Sequence, residues 1–149
     1  MANIGYDAIE GAFLSKITEF EFLKMSEKDR GEIVDGYLKR AITEFKPVCT
    51  YDLSKCDDET REFTDNFDPK DVDEIIEIVS EGMVKQWLKP YLYRQEILEN
   101  VLNTRDYTAY SPAELLLRVG NAYKEAKSDY TQMVREYSYN HGDLSELHL

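Results

Sequence analysis

Apolar residues along this chain recur at steps of three and four and hardly anywhere alternate over the length of a strand, a pattern that predicts helices. Asp7 with Glu10 makes a capping pair ahead of Ile9, Phe13, Leu14 and Ile17, giving a short helix from about residue 8 to 17. Phe20, Phe22 and Leu23 form an aromatic connector. Ser26 with Asp29 opens a second helix, in which Ile33, Val34, Tyr37, Leu38, Ala41, Ile42 and Phe45 share one stripe down to Lys46 and Pro47. Residues 47–67 follow neither period and carry many acids, so they read as a long loop of the kind that is often functional or mobile. Asp68 then stands as N-cap before Pro69, and Val72, Ile75, Ile76, Val79, Met83, Val84 and Trp87 follow on one broad face.

Pro90 interrupts that face before it resumes through Tyr91, Leu92, Ile97, Leu98, Val101 and Leu102. This predicts either a kinked helix or two helices meeting near Leu88 and Lys89, with Trp87 as a core anchor. Ser111-Pro112-Ala113-Glu114 combines an N-cap hydroxyl, a first-turn proline and a back-reaching carboxylate, and so starts the last helix. Its seam of Leu116, Val119, Tyr123, Ala126, Tyr130, Met133 and Tyr137 runs down a helix of about 28 residues, roughly 42 Å long. Asn140-His141-Gly142 ends it, leaving a C-terminal tail over about 140–149 with Leu144, Leu147 and Leu149 unplaced. The expected fold is all-α: one domain over residues 1–149, a small bundle of four to five helices with a long C-terminal helix and an extended tail.

Charge narrows the function more than composition does. The 149 residues carry 30 acids against 18 Lys and Arg, a formal net charge of −12 that disfavours ordinary binding to nucleic-acid phosphates. No apolar run approaches the roughly 18 residues needed to span a bilayer, and acids occur throughout the N-terminal region, so a cytosolic product without signal peptide is expected. Cys49 and Cys56 are the two cysteines, too few for a disulfide scaffold.

Acids concentrate between Asp52 and Glu77, which invites a metal reading. An EF-hand begun at Asp52 would need Gly at its sixth position and Glu at its twelfth, where Asp57 and Phe63 stand; a start at Asp57 lacks the central Gly as well. Cys49, Cys56, His141 and His148 are spaced too widely for a structural zinc site. Both histidines fall near the C-terminus, where a frayed chain would not hold a general base. With no Gly-rich phosphate loop, G-x-S-x-G or H-E-x-x-H, the chain is expected to be no enzyme and to use neither metal nor cofactor. The eleven tyrosines stand out, because Tyr joins a large apolar area to a polar tip and suits either a half-buried core edge or a subunit contact.

Several segments, taken in order, resemble the head-to-tail connector (neck adaptor or head completion) proteins of tailed bacteriophages. They are Phe20-Glu21-Phe22-Leu23-Lys24 before Ser26, Tyr37-Leu38-Lys39-Arg40-Ala41-Ile42 running to Phe45-Lys46-Pro47-Val48-Cys49, and Met83 through Trp87-Leu88-Lys89-Pro90. Asp106-Tyr107 with Tyr110-Ser111, and Tyr137-Ser138-Tyr139-Asn140-His141-Gly142-Asp143-Leu144, complete the set. The sharper helix start at Ser111-Pro112-Ala113-Glu114 departs from that family's looser polar opening.

The resemblance implies a non-enzymatic virion protein made in the bacterial host cytoplasm. It would form a homo-oligomeric ring of twelve copies that docks on the portal protein and meets the next neck, stopper or tail component. It also implies that the C-terminal end meets portal or neighbouring subunit through Tyr130, Tyr137, Tyr139, Leu144 and Leu147. In such a ring Asp57, Asp58, Glu59, Glu62 and Asp65 would give an acidic channel or surface past which DNA moves without being specifically bound. The alternative is an acidic DNA mimic that inhibits a nucleic-acid-binding enzyme. Against it, residues 78–149 are close to charge balance, whereas a decoy should present acids over much of its surface.

Overall fold

The computed structural model describes residues 2–17, 32–93 and 112–141. Strand β1 (Ala2–Gly5) runs directly into helix α1 (Tyr6–Ile17), and helix α2 (Glu32–Phe45) precedes strands β2 (Cys56–Asp57) and β3 (Glu62–Phe67). Helices α3 (Pro69–Tyr93) and α4 (Pro112–His141) complete the described chain. Phe20, Phe22, Leu23, the Ser26 cap, the stretch Ile97–Leu102, Ser111, Leu144, Leu147 and Leu149 lie outside the described residues, as does the side chain of Leu116.

Helix α3 is the axis on which the rest packs: α4, α1 and α2 all lie against it, and β1 touches it as well. Three neighbours explain why its buried set, Ile75, Ile78, Val79, Met83, Val84, Trp87 and Leu88, covers more than the one face the spacing predicts. Trp87 is the expected anchor, with the Phe13 ring edge-on at 6.3 Å. The start of α3 is as expected, with Asp68 Oδ1 accepting from Lys70 N at 3.2 Å and Pro69 in the first position. Pro90 removes one amide donor near the other end, yet α3 continues through it to Tyr93.

The expectation of a pure helical bundle is corrected by a three-stranded antiparallel sheet of order β1-β3-β2. Residues 56–67 form a hairpin rather than a structureless loop. Cys56 pairs with Phe63 and Asp57 with Glu62, and β1 adds to the other side of β3 through Ile4↔Phe63 and Gly5↔Glu62. Phe63 and Phe67 are buried at 4 % and 0 % exposure, but the residue midway between them is Asp65, half-buried and polar, so the alternation that marks a strand is broken. Asp65 accepts from the Asp52 amide at 2.6 Å and from Lys55 Nζ at 3.0 Å. The register also slips between Ala2 and Ile4, where β3 carries extra residues and Asn66 adopts φ 53°. Together α1, α2 and the sheet enclose one side of α3, and α4 covers another.

Candidate functional site

Two places gather the residues that sequence analysis singled out. At the hairpin tip, Asp57 Oδ1 accepts from the amides of Glu59 (2.9 Å) and Thr60 (3.3 Å), so this acid shapes the turn. Arg61 closes the tip with φ 55°, and its carbonyl accepts from the Tyr6 amide at 2.8 Å. The Tyr6 hydroxyl donates to Asp58 Oδ1 at 3.1 Å while its ring packs on Phe63, centroids 4.8 Å apart. Of the five acids assigned to a channel or surface, Asp57, Asp58 and Glu59 are exposed at this tip, Glu62 is half-buried on β3, and Asp65 is half-buried with its oxygens engaged by Asp52 and Lys55 just ahead of the hairpin.

Arg61 is a fastening that the sequence did not reveal. Its guanidinium forks onto both oxygens of Asp35 on α2, at 3.0 Å each, and reaches Glu10 Oε2 at 2.9 Å and Asp7 Oδ1 at 3.4 Å on α1. One side chain thus ties the hairpin to two helices. Burial first, and then the hydrogen bond and charge of Asp35, push the Glu10 carboxyl up to about 8, while hydrogen bonding to Arg61 and Glu10 holds Asp35 below the usual carboxylate range. A carboxyl raised in the folded state favours folding below its unfolded value of 4.5, and that contribution is lost as pH rises through about 8. Solvent at the groove and the Arg61 cation screen part of the effect, so stability should fall by about 2 kcal/mol between pH 5 and pH 9 on this account. Thermal melts of Glu10→Gln should lose that slope relative to wild type; parallel profiles would refute the assignment.

Beside the Arg61 node an open groove of about 650 Å³ separates the hairpin from α2. Its floor is Leu38, Ile42 and Leu53, with Cys56, Asp58 and Lys39 along its rim. Cys56 is exposed and Cys49 half-buried, both as free thiols, and burial raises the Cys49 thiol above its ordinary value.

The second place is the end of α4. Tyr137 is fully buried, edge-on to Phe45 at 5.2 Å, and its hydroxyl accepts from Thr50 N at 3.1 Å and shares a 2.7 Å hydrogen bond with Thr50 Oγ1. Tyr130 is 6 % exposed, its ring lying under Lys85 Nζ at 4.0 Å, and Lys85 in turn pairs with Glu44. Burial raises both phenols, which stay neutral. Assignment of Tyr130 and Tyr137 to a partner contact is therefore corrected: α2 and α3 already cover them, because the tyrosine seam faces the chain's own core. Tyr139, two positions on, points out at 68 % exposure, and Leu144 and Leu147 lie outside the described residues.

His141 is the residue most misjudged from its position in the sequence. It occupies the last turn of α4 instead of a frayed tail, its ring stacked on Tyr137 with centroids 4.2 Å apart. Only the proximity of Tyr137, one helical turn earlier, could have signalled this. No helix among the described residues is long and apolar enough to cross a membrane. No protein-family model, curated protein or solved structure matches the chain.

Proposed function

We propose that this chain is a non-enzymatic structural protein of a tailed-phage virion, a connector that assembles as a twelve-membered ring on the portal and joins it to the next neck or tail component. The observation that carries the reading is the emergence of Tyr139 at the end of α4, 68 % exposed, where the chain continues toward Leu144 and Leu147. A phenol ring held out at this exposure is a surface that gains from a partner. Leu117 at 64 % exposure near the other end of the same helix, and Ile33 at 42 % on α2, add apolar area for neighbouring copies. The acids of the hairpin tip, Asp57, Asp58 and Glu59, repel phosphate and suit a surface past which DNA slides.

Native mass spectrometry of the chain alone and mixed with the portal protein of the same phage tests this. Wild type should join the portal as a ring. Tyr139→Ala and a chain ending at His141 should keep the wild-type melting temperature and lose docking. A chain that stays monomeric, ignores the portal and inhibits a DNA-binding enzyme would move the assignment to an acidic DNA mimic.

A further inference from the structure

We infer that Asp71, Glu74 and His141 form a binding site for one divalent first-row transition-metal ion, of the Zn²⁺ class, at the junction of α3 and α4. The inference is independent of the connector reading. Asp71 and Glu74 lie three positions apart in the opening turns of α3 and so share one helix face. His141, from the last turn of α4, brings Nε2 to 3.7 Å from Asp71 Oδ1 and 3.5 Å from Glu74 Oε2. These separations are too long for hydrogen bonds, and the three ligand atoms all lie within 4.8 Å of one another. Around a tetrahedral ion with bonds of about 2.0 to 2.2 Å, ligand atoms stand roughly 3.3 to 3.6 Å apart. The two measured His separations are close to that, and rotation of the half-exposed Glu74 closes the remainder.

The surroundings are those of a held ligand set rather than of loose surface acids. Asp71 is buried at 6 % exposure, and its other oxygen, Oδ2, accepts from the Tyr51 hydroxyl at 2.6 Å, which fixes the carboxylate and leaves Oδ1 aimed at His141. Tyr51 is itself set by the Asp68 amide, which donates to its hydroxyl at 3.2 Å, and by ring contact with Phe67 at 4.8 Å. His141 is oriented by its stack on Tyr137, whose hydroxyl is anchored at Thr50. Outer partners of this kind orient metal ligands and tune their affinity.

Among the described residues no lysine or arginine forms an ion pair with either carboxylate, so the two negative charges converge on a single imidazole that supplies at most one positive charge. A divalent ion balances both. One nitrogen and two carboxylate oxygens match the borderline ions, zinc, iron and cobalt, better than Ca²⁺, which takes six to eight oxygens. Three protein ligands leave at least one coordination position, on the side where Glu74 is 35 % exposed, for water.

The test uses the full chain with Co²⁺ as a spectroscopic probe and Zn²⁺ as competitor. Wild type should take up one Co²⁺ with the visible absorption of a four- or five-coordinate site, and Zn²⁺ should displace it and raise the melting temperature. His141→Ala should weaken binding roughly 100-fold or more, since loss of an outer partner alone costs 10- to 100-fold. Glu74→Gln should weaken it as well, whereas His148→Ala should bind as wild type. Circular dichroism without metal identifies variants that keep the fold, and His141→Gln replaces His141→Ala if the latter does not. Absence of Co²⁺ and Zn²⁺ binding by wild type at submillimolar metal, or binding unaffected by the folded His141 and Glu74 variants, would overturn the site.

Discussion

Tyr137→Ala is expected to destabilise the protein by about 4 kcal/mol, the range for removing a large buried ring. The ring is fully buried, packs edge-on to Phe45 and supports the His141 ring, so truncation leaves a cavity between α4 and α2. It also removes the hydroxyl that satisfies Thr50, which begins the chain's descent from α2 toward the hairpin. Tyr137→Phe separates the two contributions: the ring stays, and only the hydrogen bonds to Thr50 are lost, at about 1 kcal/mol. Urea denaturation reads both, as lower midpoints at an unchanged slope. A Tyr137→Ala loss under 1 kcal/mol would mean that the end of α4 does not dock on the core as described.

The second large effect is expected at Gly82, in the middle of α3. A Cβ there would stand 3.1 Å from Tyr130 Cε2 and 3.3 Å from Ala41 Cβ, so α4 and α2 both approach α3 closely at this glycine. Alanine would improve helix propensity by up to about 1 kcal/mol but must displace a buried ring that also carries Lys85 Nζ over its face; the net expectation is a loss of about 1 kcal/mol. Valine adds two further methyl groups to the same gap and should cost about 3 kcal/mol. The control is Gly36→Ala on α2, where a Cβ meets nothing within 4 Å and the propensity gain should appear undiminished as roughly 0.5 to 1 kcal/mol of added stability. Thermal melts of the three variants decide the matter, and equal behaviour at positions 36 and 82 would contradict the close approach.

Much of the helical frame is legible because its signals are local. Asp68-Pro69 starts α3 and Pro112 starts α4, since caps and first-turn prolines act within a few residues. The stripe on α2 is legible in the same way: Val34, Leu38, Ala41 and Phe45 are buried, though Ile33, assigned to the same stripe, lies at its edge and is 42 % exposed. The sheet was hidden because its logic is not local. β3 acquires its second neighbour from Ala2–Gly5, far away in the chain, and Asp65 stands midway between Phe63 and Phe67, where an apolar residue would have revealed the period of two.

The two functional places fail to show for a related reason. A run of acids looks uniform in sequence, yet Asp57 builds a turn, Asp58 receives a tyrosine hydroxyl, Asp65 braces a loop and Asp71 turns inward toward His141. Arg61 stands amid those acids with nothing in the sequence to mark it, and is the cation on which Asp7, Glu10 and Asp35 converge. The tyrosines were legible as a seam but not in direction, because a ring with a polar tip suits an interior lined by Thr50 or Lys85 as well as an exterior.

Because β1 bonds to residues 62–67, its emergence from the ribosome precedes that of its partner by some sixty positions. Strand β1 must wait for this partner until the hairpin has been synthesised, and only then can the Tyr6 amide find the Arg61 carbonyl. Such distant closure slows folding relative to a bundle built of neighbouring helices. Nascent α1 thus has no sheet to brace it during early translation, and the order of synthesis runs opposite to the order in which this corner of the molecule can be sealed.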